Sequence, residues 1–285
     1  MAKYRIANMT IELDLIEKSI VLPSLKKYQI DDEKVEVSAK VNIIKNIPEP
    51  KGKIVNKTKY YDVYENDGLV IQYQRRDKDL SYFGYIEYGL NNATIYILEN
   101  KLSEIQLDEY LLTQYVFPYY MMKLKNAIWM HGSSLAYNER GYLFSAPSGV
   151  GKSTHTRLWR EYVDCEMIND DKNIIVFENN ELKLYGNPWS GKHHLDNNIS
   201  APLKSIIFLY QSKENVVRKI SAKEALMKIM LQIIQPFDSS AIDNWSKMID
   251  ELLKIPCFEL GCNISKEAVD VIKSKLEELN DENQW

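Results

Sequence analysis

Apolar and polar residues alternate with a period of two through most of the first hundred positions. The runs YRIANMTIEL (4–13), KYYDVYEN (59–66), GLVIQYQ (68–74), SYFGYIEYGL (81–90) and ATIYILEN (93–100) carry this pattern. Their Tyr, Ile and Val suit a half-buried pleated surface, so each predicts a short strand. Asp67-Gly68 and Asn91-Asn92 lie between such runs and can supply the positive φ angles of tight hairpins. Residues 45–53 (KNIPEPKGK) hold two prolines and a glycine and predict an exposed connection. Residues 1–102 therefore read as an antiparallel meander.

The pattern then changes. Ser103 with Gln106 predicts a capping box for a helix through Leu107, Tyr110, Leu111, Gln114 and Tyr115. Pro118 is expected to kink or end it, with helix resuming over 119–124. Two strand-like runs follow at 128–137 and 141–146, divided by Asn138 to Arg140, and then a glycine-rich turn and a helical pattern over 152–163. A short strand from Cys165 to Ile168, a hairpin over 173–186 turning at Asn179-Asn180, and a buried strand over 205–210 come next. Ser221 and Glu224 form a second capping box, for a helix from Ala222 to Ile234 that Pro236 stops. Helices at about 240–254 and 265–279 close the chain, with the strand CFELGC (257–262) between them. The fold class expected is α/β with a mixed sheet over 125–285, preceded by a mainly antiparallel β domain with a connecting helix over 1–124.

Composition narrows the function classes. The 285 residues are 45% hydrophobic and 27% charged, which excludes collagen-like and disordered chains. Lys and Arg number 36 against 40 Asp and Glu, a net charge of −4, so there is no basic excess to hold a nucleic acid. The three cysteines are too few for a disulfide framework and form no CxxC, which points to a reducing, cytoplasmic setting. The opening residues lack the apolar core of a secretory signal, and no run of 18 apolar residues is present, so no membrane partner is expected.

The strongest chemical signal is APSGVGKS (146–153), a strand-to-helix turn of the phosphate-binding type with Ala where the first glycine usually stands. Gly149 and Gly151 let successive backbone N–H groups point into one concavity, and the helix beginning near Lys152 adds its positive end. Lys152 supplies a charge for the outer phosphates, and the Ser153 hydroxyl can complete the shell of a bound Mg²⁺. Ser148, Gly149, Val150, Gly151, Lys152, Ser153 and Thr154 are the expected contacts to a nucleoside triphosphate, with ATP the expected nucleotide.

Asp170-Asp171 follows a predicted strand about a dozen and a half residues later, where a following strand of a parallel-type unit would end. One carboxylate can then reach a metal and the other an acceptor hydroxyl; the alternative is a solvated Asn-Asp-Asp-Lys turn. His131 lies on the strand before the glycine turn. Asn187 to His194 (NPWSGKHH) is a loop carrying Trp189, Lys192, His193 and His194, an inventory suited to gripping a substrate, and Arg157 on the following helix joins these candidate substrate contacts. His193-His194 with Asp196 also suggests a metal, but adjacent histidines rarely chelate one ion and no HExxH or CxxC accompanies them.

His131-Gly132, APSGVGKST and NDDK, in that order and spacing, resemble the catalytic domain of bacterial HPr kinase/phosphatase, whose nucleotide-binding core is shared with ATP-dependent phosphoenolpyruvate carboxykinase. The likeness to uncharacterised HPr-kinase-like relatives extends through THTRLWRE (154–161), NPWSGKHH (187–194) and APLKSIIFL (201–209), so it covers about residues 127–275. The resemblance implies that Lys152 contacts phosphates, Ser153 and Asp171 assist Mg²⁺, Asp170 is the general base towards a serine hydroxyl, and His131 sits beside the reacting phosphates. It implies a homo-oligomer as well. The segment by which the HPr enzyme holds its protein substrate has no counterpart here, so HPr is not the implied acceptor. A kinase acting on a Ser/Thr hydroxyl of a peptide or small protein is expected. A small-molecule kinase, or a nucleotide-binding sensor or scaffold, is the alternative. The tyrosine-rich first region can serve as a peptide platform by strand addition or as an ordinary β core.

Overall fold

The computed structural model describes residues 1–14, 23–31, 34–75, 81–104, 108–191 and 193–282, excluding the side chains of 102–104, 108–114 and 280–282. The chain divides into two units: residues 1–125 with 235–244, and residues 126–234 with 245–285.

The first unit is a nine-stranded sheet and a helix. Its strands are β1 (Ala2–Ile6), β2 (Met9–Asp14), β3 (Gln29–Ile30), β4 (Val37–Ile44), β5 (Lys53–Lys57), β6 (Tyr61–Asn66), β7 (Leu69–Arg75), β8 (Tyr82–Tyr88) and β9 (Asn92–Leu98). They lie in the order β3-β1-β2-β4-β9-β8-β7-β6-β5. From β5 to β9 the sheet is the expected meander. β4 is different: it pairs parallel with both β2 and β9, so the sheet is mixed. Alternation marks a segment as a strand but carries nothing about its neighbour, which is why the parallel pairs escaped the sequence pattern. The first predicted run also resolves into two strands, because Ala7 turns the chain at φ 53°. Asp67 (φ 50°) and Gly68 (φ 79°) make the predicted left-handed turn. Between β8 and β9 the turn closes by Gly89 N–H to the Asn92 carbonyl at 2.8 Å, with no positive φ.

Helix α1 (Asp108–Leu124) runs through Pro118 without ending. Burial of Val116, Phe117, Tyr119, Tyr120, Met121 and Met122 around the proline offsets the lost backbone bond. The Tyr120 hydroxyl donates to the Asn92 carbonyl at 2.6 Å. Gln106, half of the expected capping box, lies outside the described residues.

The second unit holds β10 (Ala127–His131), β11 (Ser133–Tyr137), β12 (Arg140–Ser145), α2 (Lys152–Tyr162), β13 (Glu166–Asn169), β14 (Lys172–Glu178), β15 (Glu181–Tyr185), β16 (Ser200–Gln211), β17 (Val216–Lys219), α3 (Ala222–Met230), β18 (Cys257–Cys262) and α5 (Lys266–Glu282). Most of α4 (Ile242–Leu252) belongs to it too. The strand order is β10-β14-β15-β16-β12-β11-β13, with β18 also beside β16 and β17 beside β18. The sheet is mixed: β16 runs parallel to β12 and β18 but antiparallel to β15.

Successive residues of a strand point to opposite faces, and the core splits accordingly. Leu143, Ile206 and Phe208 pack with Ile229 of α3 and Met248 and Leu252 of α4. Tyr142, Phe144 and Ile207 pack with Leu158 and Trp159 of α2 and Ile272 and Leu276 of α5. Asn138-Glu139 and Asn179-Asn180 turn their hairpins with φ between 49° and 62°. Helix α3 is shorter than expected. It stops at Met230, because His131 N–H bonds the Gln232 carbonyl at 2.7 Å and Ile234 N–H the Trp129 carbonyl at 2.9 Å, drawing 232–234 onto β10. Among the described residues no helix is long and apolar enough to cross a membrane.

The Ser221–Glu224 capping box is formed as the sequence predicts, with Ser221 N–H on the Glu224 carboxylate at 2.9 Å and Glu224 N–H on Ser221 Oγ at 3.3 Å. Ser221→Ala should lower the unfolding free energy by about 1 kcal/mol in a denaturant titration. A change of only a few tenths would mean that packing alone holds α3.

Candidate functional site

Strand β12 carries the chain into the turn at 146–151, and α2 leaves it at Lys152. Gly149 (φ 82°) and Gly151 (φ 122°) occupy backbone conformations that side chains rarely adopt, and nothing lies within 4 Å of where a Cβ would be. Glycine is required here by conformation rather than by crowding, and the space above the loop is open. Val150 turns away: its half-buried side chain packs against the cluster that includes Phe144 and Trp159.

Lys152 is 8% exposed, and its ammonium donates to the carbonyls of Ala146 at 2.8 Å and Pro147 at 3.3 Å. Burial pushes its pKa down, and the charge of Asp171 opposes that shift. A desolvated cation is thus held at the mouth of a loop by two carbonyl oxygens, with Asp171 as its nearby countercharge.

Strand β13 delivers the two carboxylates. It pairs antiparallel with β11, which pairs antiparallel with β12, so β13 runs in the direction of β12 and ends at the same edge. The parallel-type placement expected from the sequence is therefore reached with an antiparallel strand in between. Asn169, fully buried at the end of β13, organises the turn that comes after it. Its Oδ1 accepts the N–H groups of Asp171 and Lys172, both at 2.9 Å, and its Nδ2 donates to the carbonyls of Asn187 at 3.1 Å and Trp189 at 3.3 Å. Asn187 returns the bond, donating to the Lys172 carbonyl at 2.6 Å and accepting Trp189 N–H at 3.1 Å. These two asparagines tie the Asp-Asp turn to the 187–194 loop.

The carboxylates are used differently. Asp170 is 4% exposed and accepts Gly191 N–H at 2.5 Å and His193 N–H at 3.3 Å. A Cβ on Gly191 would come within 3.2 Å of Asp170 Oδ2, so the glycine permits the approach. Asp171 Oδ1 lies 3.1 Å from His131 Nδ1. Burial pushes the Asp171 carboxyl up, but the hydrogen bond and charge of His131, with Lys172 and Lys152, outweigh it and hold the group below its ordinary range.

These elements enclose a cleft of about 570 Å³. Ser148, Gly149, Gly151, Lys152, Ser153 and Thr154 line it from the loop side, and His131, Asp170, Asp171, Gly191 and His193 from the other. Four predicted residues stand apart. Trp189 is 1% exposed and packs on Trp129 at 5.3 Å, so it braces the loop instead of facing a substrate. Arg157 and His194 are exposed and do not line the cleft, and Val150 is half-buried against the core. Lys192 lies outside the described residues. His155 is buried, accepts Trp159 Nε1–H at 3.2 Å, and is pushed down to about 4, so it is a neutral structural histidine. Asp196 accepts Ser190 Oγ–H at 3.1 Å.

No family model matches the chain, and no curated protein matches it. Among solved structures, the HPr(Ser) kinase/phosphatase from Coxiella burnetii is similar to it. The likeness covers 54% of this chain and 95% of that chain, at 13% identity and a TM-score of 0.33. It is a relationship of fold, and a weak one.

Asn169, Asn187 and Gly191 stand within the NDDK and NPWSGKHH segments, but the sequence assigned them no role. An Asn directly before Asp-Asp is an Asx-turn signal and could have pointed to Asn169; nothing local marks Asn187. Asn169→Ala should cost about 3 kcal/mol in denaturant unfolding, because it leaves buried N–H and C=O groups unpaired. A loss below about 1 kcal/mol would mean that water replaces the amide. The lowered Asp171 pKa gives a pH signature. Stability from this group is present above its unfolded value, near 3.8, and is lost as pH falls through the lower folded value. In metal-free buffer, wild type should therefore lose more stability on acidification than Asp171→Asn; parallel curves would remove the shift.

Proposed function

We propose that the protein is a Mg²⁺·ATP-dependent phosphotransferase whose acceptor is an alcohol, in the first instance a Ser or Thr hydroxyl of a peptide or small protein. The observation that carries this reading is the convergence on one cleft of a glycine-rich anion-binding turn, a desolvated lysine and two carboxylates in distinct environments. A nucleotide site alone needs only the first two. Asp171, held by His131, and the backbone-held Asp170 add what group transfer to a hydroxyl requires.

The residues fit the groups this chemistry uses. The loop N–H groups, the N-terminus of α2 and Lys152 suit a triphosphate. Ser153 and Asp171, one hydroxyl and one carboxylate on the cleft wall, are the donor set of an ion that keeps several waters and shares phosphate oxygens, as Mg²⁺ does. Bound there, Mg²⁺ would supply charge neutralisation at the phosphates. Lys152 would exchange its two carbonyl partners for phosphate oxygens, His131 would hold Asp171 in place, and Asp170 would orient the acceptor hydroxyl and take its proton as the oxygen attacks. The 187–194 loop, fastened to Asp170 through Gly191 and His193, would form the acceptor side of the cleft.

Calorimetry and transfer from labelled ATP test the reading together. Asp170→Asn should leave nucleotide affinity within about twofold and reduce transfer by about a hundredfold or more. Lys152→Met should weaken nucleotide binding itself. Full turnover by Asp170→Asn would overturn the base assignment, and absence of heat with any magnesium nucleotide would overturn the whole reading. Nucleotide bound without label reaching any protein or small molecule of a cell extract would favour a sensor. Label in small molecules alone would make the acceptor a metabolite.

A further inference from the structure

A second cleft, of about 440 Å³, lies wholly within the second unit. That volume suits a small molecule. It sits at the opposite end of β12 from the glycine-rich turn: β12 begins there at Arg140, and the parallel strand β16 passes it at Leu203 and Lys204. Ile255 and Pro256, which follow α4, line it together with Leu279 of α5. It shares no lining residue with the proposed phosphotransfer cleft.

Its charges do not balance. Glu181 holds Lys204 at 2.7 Å and Glu251 holds Lys254 at 2.6 Å, so both carboxylates of the lining already have a cation. Arg140 is the third cation and is half-buried. Among the described residues its guanidinium has no ion pair, hydrogen bond or ring partner. A guanidinium carries five N–H donors in a planar fork, and partial burial takes water from them without supplying acceptors. A carboxylate, with two oxygens that match the fork, is its natural complement.

Apolar surface adjoins this group. Phe177 and Ile255 are half-buried against the core cluster that includes Leu182 and Leu203, and Pro256 and Leu279 are half-buried as well. A ligand that covers these side chains as well as Arg140 needs a hydrocarbon body behind its anionic head. A doubly charged head would meet Glu181 and Glu251, and a cation would meet Arg140 with no free carboxylate to receive it. We propose that this cleft binds a small apolar monocarboxylate, its carboxylate on Arg140 and its body on Phe177, Ile255, Pro256 and Leu279.

The test is calorimetric titration of the full chain with octanoate, without nucleotide, so that its result is independent of the kinase reading. Octanoate should bind saturably. Acetate should bind about thirtyfold or more weakly for want of the hydrocarbon, and octan-1-ol about tenfold more weakly for want of the charge. Octylamine and octyl phosphate should each fall about tenfold or more below octanoate. Arg140→Gln should weaken octanoate about tenfold and leave octan-1-ol within about twofold, whereas Leu279→Ala should weaken both by a similar factor. Absence of saturable heat with octanoate up to about 10 mM, equal affinity for octanoate and octan-1-ol, or octanoate binding unchanged by Arg140→Gln would overturn the proposal.

Discussion

A buried primary amide has one acceptor oxygen and two donor hydrogens, and Asn169 has no water to satisfy them. All of that capacity is directed to backbone: two N–H groups of the Asp-Asp turn on one side, and two carbonyls of the 187–194 loop on the other. The cleft depends on this side chain because it makes four of the bonds that join two segments, beside those of Asn187 and Asp170. Without it, the turn at the end of β13 would lose its two N–H acceptors, and the loop bearing Gly191 and His193 would be held to the turn by Asp170 and Asn187 alone. Asn187 completes the join in the reverse direction, so that the turn and the loop hold each other.

Against this rigid side stands a loop whose design is electrostatic. Lys152 is kept charged in a poorly solvated position by two carbonyl oxygens, with the Asp171 carboxylate as a countercharge. Carbonyl dipoles are weaker partners than a phosphate, so the arrangement favours exchange when an anion enters. Asp171 in turn leans on His131. Positive and negative groups therefore line one open cleft, each partly compensated. Trp189 contributes as well, its buried ring packing against Trp129 in the loop that carries Gly191.

Much of this could be read from the order of the residues. Gly149, Gly151 and Lys152 are legible because positive φ and a helix start leave a local signature. Asp67-Gly68, Asn138-Glu139 and Asn179-Asn180 are legible as turns for the same reason. The Ser221–Glu224 box is complete within four residues. What misled was information that local pattern cannot hold. Trp189 and His193 look alike in a loop motif, yet one is sealed in the core and the other lines the cleft. Pro118 allows either a kink or an end followed by a second helical stretch, and with Phe117, Tyr119 and Tyr120 buried around it one helix runs from Asp108 to Leu124.

The sequence by itself determined the elements, their turns and the phosphate-type loop, because each follows from interactions between residues a few positions apart. Only the tertiary structure decided which strands lie parallel, that β13 reaches the same edge as β12 across β11, and that Asn169 and Asn187 clamp the cleft. Those outcomes rest on hydrogen bonds between residues 15 or more positions apart, and on which side chains water can reach. Both are properties of the folded chain, fixed when backbone groups that leave solvent must find partners elsewhere.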